Sequence, residues 1–71
     1  MADLPGAAVK RLLTKHGRGL RSSGSAVDMA AGAAAGYIAR LAQEAAASAE
    51  RDKRKTIMDT DIQRAKEALG G

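Results

Sequence analysis

The chain reads as an all-α fold of three helices, one long helix between two short ones. Three observations predict it. The stretch from about Ala26 to Arg51 has no Pro, has Gly only at Gly32 and Gly36, and is nearly half Ala. The shorter stretches on either side place apolar residues at helical spacing and end at glycine. Segments rich in Gly, Ser and cations interrupt the periodicity between them.

The first helix is expected over about residues 6–16. Asp3-Leu4-Pro5 opens it, and Pro suits a first turn because its missing N–H is not needed there. Gly17 reads as a left-handed stop. At about 100° per residue, Ala8, Val9, Leu12, Leu13 and His16 share one face, and Lys10, Arg11, Thr14, Lys15 and Arg18 share the opposite one. A stripe of cations is often only a solvated surface. This one has no Asp or Glu at helical spacing to pair with, and the chain holds no acid between Leu4 and Val27. That favours an anionic partner. His16, at the end of the apolar face, reads as a packing or capping residue.

Gly17 to Ser25 forms the first loop, and Ser23 or Ser25 can cap the long helix with Asp28 near its positive end. That helix, about residues 26–51, would be roughly 39 Å long. Ala favours it because Ala loses no side-chain entropy on ordering. Its apolar side chains larger than Ala are Val27, Met29, Tyr37, Ile38 and Leu41. So thin an apolar payload needs partners. Tyr37, Ile38 and Leu41 are expected to supply much of the buried area, and Met29 joins the core.

Lys53-Arg54-Lys55-Thr56-Ile57 is a basic second loop whose β-branched pair favours extended backbone. Met58 is a loop or cap position. The last helix is expected over about residues 59–69, with Asp59 and Asp61 in its first turn and Ile57, Ile62, Ala65 and Leu69 as its apolar stripe.

Composition narrows the function. The 71 residues suffice for one small domain, and chains of this size bury only about 60% of their unfolded surface. With no Cys, one His and one aromatic residue, neither disulfides nor a metal site are expected to stabilise it, which leaves oligomerisation. The net charge of +4 favours nucleic acid or an acidic membrane surface. No apolar run is long enough to span a bilayer, and the Trp or Phe of an interfacial helix is missing. The first residues resemble no signal peptide, so the expected location is the cytoplasm, on the nucleoid or chromosome. Catalysis is not expected: there is no Cys, no His pair and no phosphate-cradling Gly-rich loop, and the serines have no base placed nearby in sequence. No cofactor or small-molecule substrate is implied. Ala30, Ala34, Tyr37 and Leu41 would fit a coiled-coil seam, but Glu44 interrupts it.

Three pieces of the chain resemble a known family. Leu4-Pro5 before a basic first helix, Arg21-x-Ser23 before the long helix, and Arg54-Lys55-Thr56-Ile57 followed by Asp61-Ile62 and Ala65 are together similar to a minimal, tail-less histone of the archaeal or bacterial kind. The resemblance covers about residues 4–69 and makes residues 1–71 a single histone-fold domain. It implies a handshake homodimer in which two long helices cross antiparallel. Leu12, Leu13, Met29, Tyr37, Ile38, Leu41, Ile57 and Ile62 would then form the dimer core. It also implies binding to double-stranded DNA without sequence specificity, compacting or bending it. Arg21 would enter the minor groove beside Thr56 of the other copy. Lys10, Arg11, Lys15, Lys53 and Lys55, with Arg18 and Ser23 of the first loop, would contact the backbone. Arg54 would pair with Asp61 and hold the second loop.

The chain departs from that family where dimers stack. A Leu, a His and another Leu usually support the contact; Ser48, Arg51 and Arg64 stand there here. Two cations per subunit across a twofold axis would repel unless Glu50, Asp52 or Asp61 neutralises them. Stacking into long fibres is expected to be weak or absent, and any tetramer would use a non-standard interface. The alternative function is a histone-fold protein–protein module that needs a different partner chain.

Overall fold

The computed structural model describes residues 4–70. Three helices follow one another: α1 (Gly6–His16), α2 (Gly24–Arg51) and α3 (Asp59–Ala68). There is no strand among the described residues. The chain forms two compact units, Met1–Gly36 and Tyr37–Gly71, the first built from α1 and the start of α2, the second from the rest of α2 and α3.

In the first unit, Pro5 is the N-cap of α1, with φ −62° and ψ 126°. Its carbonyl accepts the Val9 N–H at 3.2 Å. Asp3 lies outside the described residues. The stop after α1 differs from the expected one. Gly17 has φ −98°, and the left-handed residues are Arg18 (φ 59°) and Gly19 (φ 74°). The helical pattern persists one residue further because the Gly17 N–H still reaches the Leu13 carbonyl at 2.7 Å. Gly19 then closes the end by donating to the Thr14 carbonyl at 3.0 Å, the long bond of a Schellman stop. Gly17 is needed for closeness rather than handedness, since a Cβ there would collide with the Leu13 carbonyl.

α2 starts two residues before the expected position. Ser23 makes the difference: its Oγ accepts the Ala26 N–H at 3.1 Å and its carbonyl accepts the Val27 N–H at 3.0 Å. Ser23 is therefore the cap, and Ser25 lies within the first turn, its hydroxyl 3.3 Å from that of Ser23. Val9 and Leu13 of α1 are half-buried, while Leu12 is exposed. With Pro5, His16 and α2 residues Ala30 and Ala34 they line an apolar groove of about 460 Å³.

In the second unit, α2 ends with a full Schellman stop. Lys53 takes φ 57°, its N–H donates to the Glu50 carbonyl, and the Arg54 N–H donates to the Ala49 carbonyl, each at 2.9 Å. α3 is capped by Met58, whose N–H is taken by the Asp61 carboxylate at 2.8 Å. α3 ends one residue before the expected position: the Leu69 N–H still bonds back to Ala65 at 3.0 Å, and Gly70 (φ 72°) supplies the left-handed exit.

Within one chain, burial falls on other residues than those expected in the dimer core. Among the described residues the buried apolar ones are all alanines: Ala31 in the first unit, Ala45, Ala49 and Ala65 in the second. Met29 is 79% exposed and Ile38 50%, and Leu12, Tyr37 and Ile57 are also exposed. Leu13, Leu41 and Ile62 are half-buried. Tyr37, Ile38 and Leu41 thus do not supply most of the buried area within one chain. The reason is geometric. Where α3 meets the end of α2, the Ser48 and Asp61 side chains come within 2.6 Å, so that contact takes small residues. Leu12, Met29, Ile38 and Ile57 stand largely uncovered within the single chain.

Candidate nucleic-acid interface

The first unit carries five of the expected contact cations. Lys10, Arg11 and Lys15 lie on α1; Arg18 and Arg21 lie in the loop that follows, with Ser23 at its end. All six residues are exposed. Among the described residues none of these cations forms an ion pair with a carboxylate. Thr14, on the same face, turns its hydroxyl back to the Lys10 carbonyl at 3.1 Å. The cations therefore keep their full hydrogen-bonding capacity for an outside acceptor. Such groups bind phosphate without reading bases.

The second unit places Lys53, Lys55 and Thr56 outward on the loop between α2 and α3, all exposed. Arg54 turns inward. It gives two hydrogen bonds to Asp61, Nη1 to Oδ2 at 2.7 Å and Nη2 to Oδ1 at 2.8 Å. It also reaches Asp52 at 2.9 Å and the Thr56 carbonyl at 3.1 Å. One guanidinium thus ties the end of α2, the loop and α3 together. The loop backbone is pinned from inside while Lys53 and Lys55 face out, bordering with Glu50 a shallow groove of about 300 Å³.

Asp61 is the centre of this cluster. Its side chain is fully buried and accepts from Ser48 Oγ at 2.6 Å and from the Met58 N–H, besides Arg54. The Arg54 guanidinium above all, then the Ser48 hydroxyl and the Met58 amide, hold its carboxyl well below the usual carboxylate range. Arg54 is pushed upward by Asp61 first and Asp52 second. Asp52 is lowered by Arg54 and then Arg64. A buried charge is tolerated only when its lone pairs are satisfied, and here four donors do that.

Arg64 is neutralised in part. It donates to Asp52 at 3.3 Å and to Ser48 Oγ at 3.0 Å. Of Glu50, Asp52 and Asp61, Asp52 is the one it reaches. Arg51 is exposed and unpaired among the described residues. Neither the bond from Ser48 to Asp61 nor the one between Asp52 and Arg54 was expected from the sequence, which placed Ser48 only on a stacking surface. A signal existed: Ser48 and Asp52 are four apart, hence on one face of a helix end, with Arg54 just beyond.

Among the described residues no helix is long and apolar enough to cross a membrane, and no group of three or more His, Cys, Asp or Glu could hold a metal ion. No curated protein and no solved structure matches the chain. The core histone H2A/H2B/H3/H4 domain matches residues 6–67, from the first residue of α1 nearly to the end of α3. With that match running through all three helices and both loops, the chain belongs to the core histone family and has the histone fold.

Proposed function

We propose that the chain is an architectural DNA-binding protein of the tail-less archaeal or bacterial histone kind. In this reading residues 1–71 form a single histone-fold domain, and two copies form a handshake homodimer that binds double-stranded DNA without reading its sequence. The dimer compacts or bends the duplex through backbone and minor-groove contacts, bound to the chromosome in the cytoplasm. The observation that carries this is the acid-free, exposed run of cations Lys10, Arg11, Lys15, Arg18 and Arg21. Lys53, Lys55 and Thr56 add a second set, held outward by the Arg54–Asp61 pair. Arg21 enters a minor groove, and the remaining cations, with Ser23, contact phosphates.

Homodimerisation is supported by what one chain leaves uncovered. Among the described residues the buried apolar ones are all Ala, while Leu12, Met29, Tyr37, Ile38 and Ile57 are exposed and an apolar groove stands open along α1. A chain this small needs such area buried to be stable. The same exposed faces would also fit a different histone-fold chain, which is the second reading. End-to-end stacking through Ser48, Arg51 and Arg64 is weak, because Arg51 keeps its charge exposed and Ser48 is already engaged with Asp61.

Two measurements decide the matter. Sedimentation of the isolated chain gives a homodimer if the reading holds, and a monomer or aggregate if a different partner is required. A salt titration on two unrelated duplexes should give equal affinities that fall together. A dimer with roughly six to ten phosphate contacts is expected to bind about 10³–10⁵ more weakly at 200 mM salt than at 50 mM. Absence of binding at low salt, or strong preference for one duplex, rejects the function.

A further inference from the structure

The loop between α1 and α2 presents a large aliphatic side chain among cations. Leu20 is 66% exposed. Its N–H donates to the Gly17 carbonyl at 3.2 Å, and the Gly19 N–H before it donates to the Thr14 carbonyl at 3.0 Å. Leu20 therefore stands on a hydrogen-bonded turn. Arg18 precedes it by two residues and Arg21 follows it directly; both are exposed and neither pairs with a carboxylate among the described residues. A single exposed Leu is ordinary on a protein surface. One set between two uncommitted cations in an acid-free segment is not, because its neighbours select a polyanion. Leu20 is also absent from the lining of the apolar groove along α1, so a second copy seated there would not need it. A duplex that brings a phosphate to Arg18 and its minor groove to Arg21 brings one matching apolar surface between them: the faces of stacked bases.

We propose that Leu20 is a wedge that enters a base step from the minor groove, beside Arg21 in the same groove and with Arg18 holding a flanking phosphate. This rests on the DNA-binding reading above and adds to it a local unstacking that backbone contact alone does not require. Apolar side chains inserted this way kink the duplex toward the major groove. Pyrimidine–purine steps unstack most easily, so the wedge would position the bend without any hydrogen bond to a base.

The experiment uses the full chain at low salt with duplexes carrying the fluorescent base aminopurine next to a TA step. Fluorescence reports unstacking, and energy transfer between labelled ends reports bending. Wild type should raise the aminopurine signal and shorten the end-to-end distance. Leu20→Ala should lose most of both while keeping the salt dependence of binding, and Leu20→Met should retain both. Equal signals from wild type and Leu20→Ala would overturn the wedge, as would a wild type that binds without unstacking; DNA binding itself would stand in either case. A wild type that fails to bind at low salt removes the underlying function and the wedge with it. Sedimentation of Leu20→Ala closes the remaining route: an altered oligomeric state would place Leu20 in a protein–protein contact and overturn the proposal.

Discussion

Arg54 and Asp61 meet through two parallel hydrogen bonds, at 2.7 and 2.8 Å, on a carboxylate with no solvent exposure. The planar guanidinium matches the carboxylate fork, and a Lys could offer only a point charge at the same place. The pair joins the second loop to α3, so the loop that exposes Lys53 and Lys55 takes its shape from a contact inside the chain.

Replacing Arg54 should therefore loosen the fold before it affects DNA. Arg54→Ala leaves Asp61 with only Ser48 and Met58 as donors, and a buried charge short of partners is strongly destabilising. Thermal unfolding at fixed protein concentration should move down by roughly 10 °C or more. Arg54→Lys should recover only part of that loss. An unchanged melting temperature in Arg54→Ala would show that the pair does not hold the loop.

Acid should act through the same cluster. Asp61 and Asp52 both have carboxyl pKa values lowered from the ordinary 3.8 in the folded chain. The unfolded chain thus binds protons first as pH falls. The stabilisation is complete above the unfolded pKa and drains away as pH drops below about 4 towards the folded values. Wild type should lose stability steeply over that range, and Asp61→Asn, already weaker at neutral pH, should show a flatter profile. Parallel profiles by circular dichroism would contradict the assignment.

The exposed cations should behave in the opposite way. Arg21→Ala and Lys55→Ala are expected to leave the melting temperature within a few degrees, because neither side chain is buried. Each should weaken DNA binding on every sequence alike. Removing one phosphate-binding cation should make the salt slope shallower by about 1, counted once per subunit. Binding indistinguishable from wild type would count against the loop sites.

Lys53 separates the two kinds of effect in one residue. It holds φ 57° at the end of α2, a conformation that costs an L residue about 1–2 kcal/mol and glycine almost nothing. Lys53→Gly should raise thermal stability while lowering DNA affinity. A variant with both reduced would mean that the Lys side chain supports the stop itself.

Gly17 tests the first loop. Gly17→Ala places a Cβ against the Leu13 carbonyl, so the end of α1 must shift. Reduced stability is expected, with weaker DNA binding as well if the displaced turn carries Arg18 and Leu20 out of position. A melting temperature equal to wild type would show that the turn absorbs the methyl group freely.

Helix identity was legible in the sequence because its causes are local. Ala content, the Ser23 cap, and Gly17 and Gly70 near the helix ends act within a turn or so of the backbone they govern. Boundaries moved by one or two residues, at Gly24 and Ala68, where a capping bond captured the neighbouring turn. The cationic face of α1 was legible for the same reason, since helical spacing alone puts Lys10, Arg11 and Lys15 together.

Burial within one chain was less legible, because it depends on which faces meet. Met29, Tyr37 and Ile38, expected in the core of a dimer, are exposed within one chain, whereas Ala45, Ser48, Ala49, Asp61 and Ala65 are buried. The sequence by itself determined three helices and a run of cations without acids, through interactions no longer than a helical turn. Only the tertiary structure decided that Asp61 is buried with Ser48, Arg54 and Met58 as donors, and that Arg64 joins Asp52 and Ser48. Those partners lie up to 16 residues apart, and their bonds form only when the two helices close on side chains small enough to let them approach.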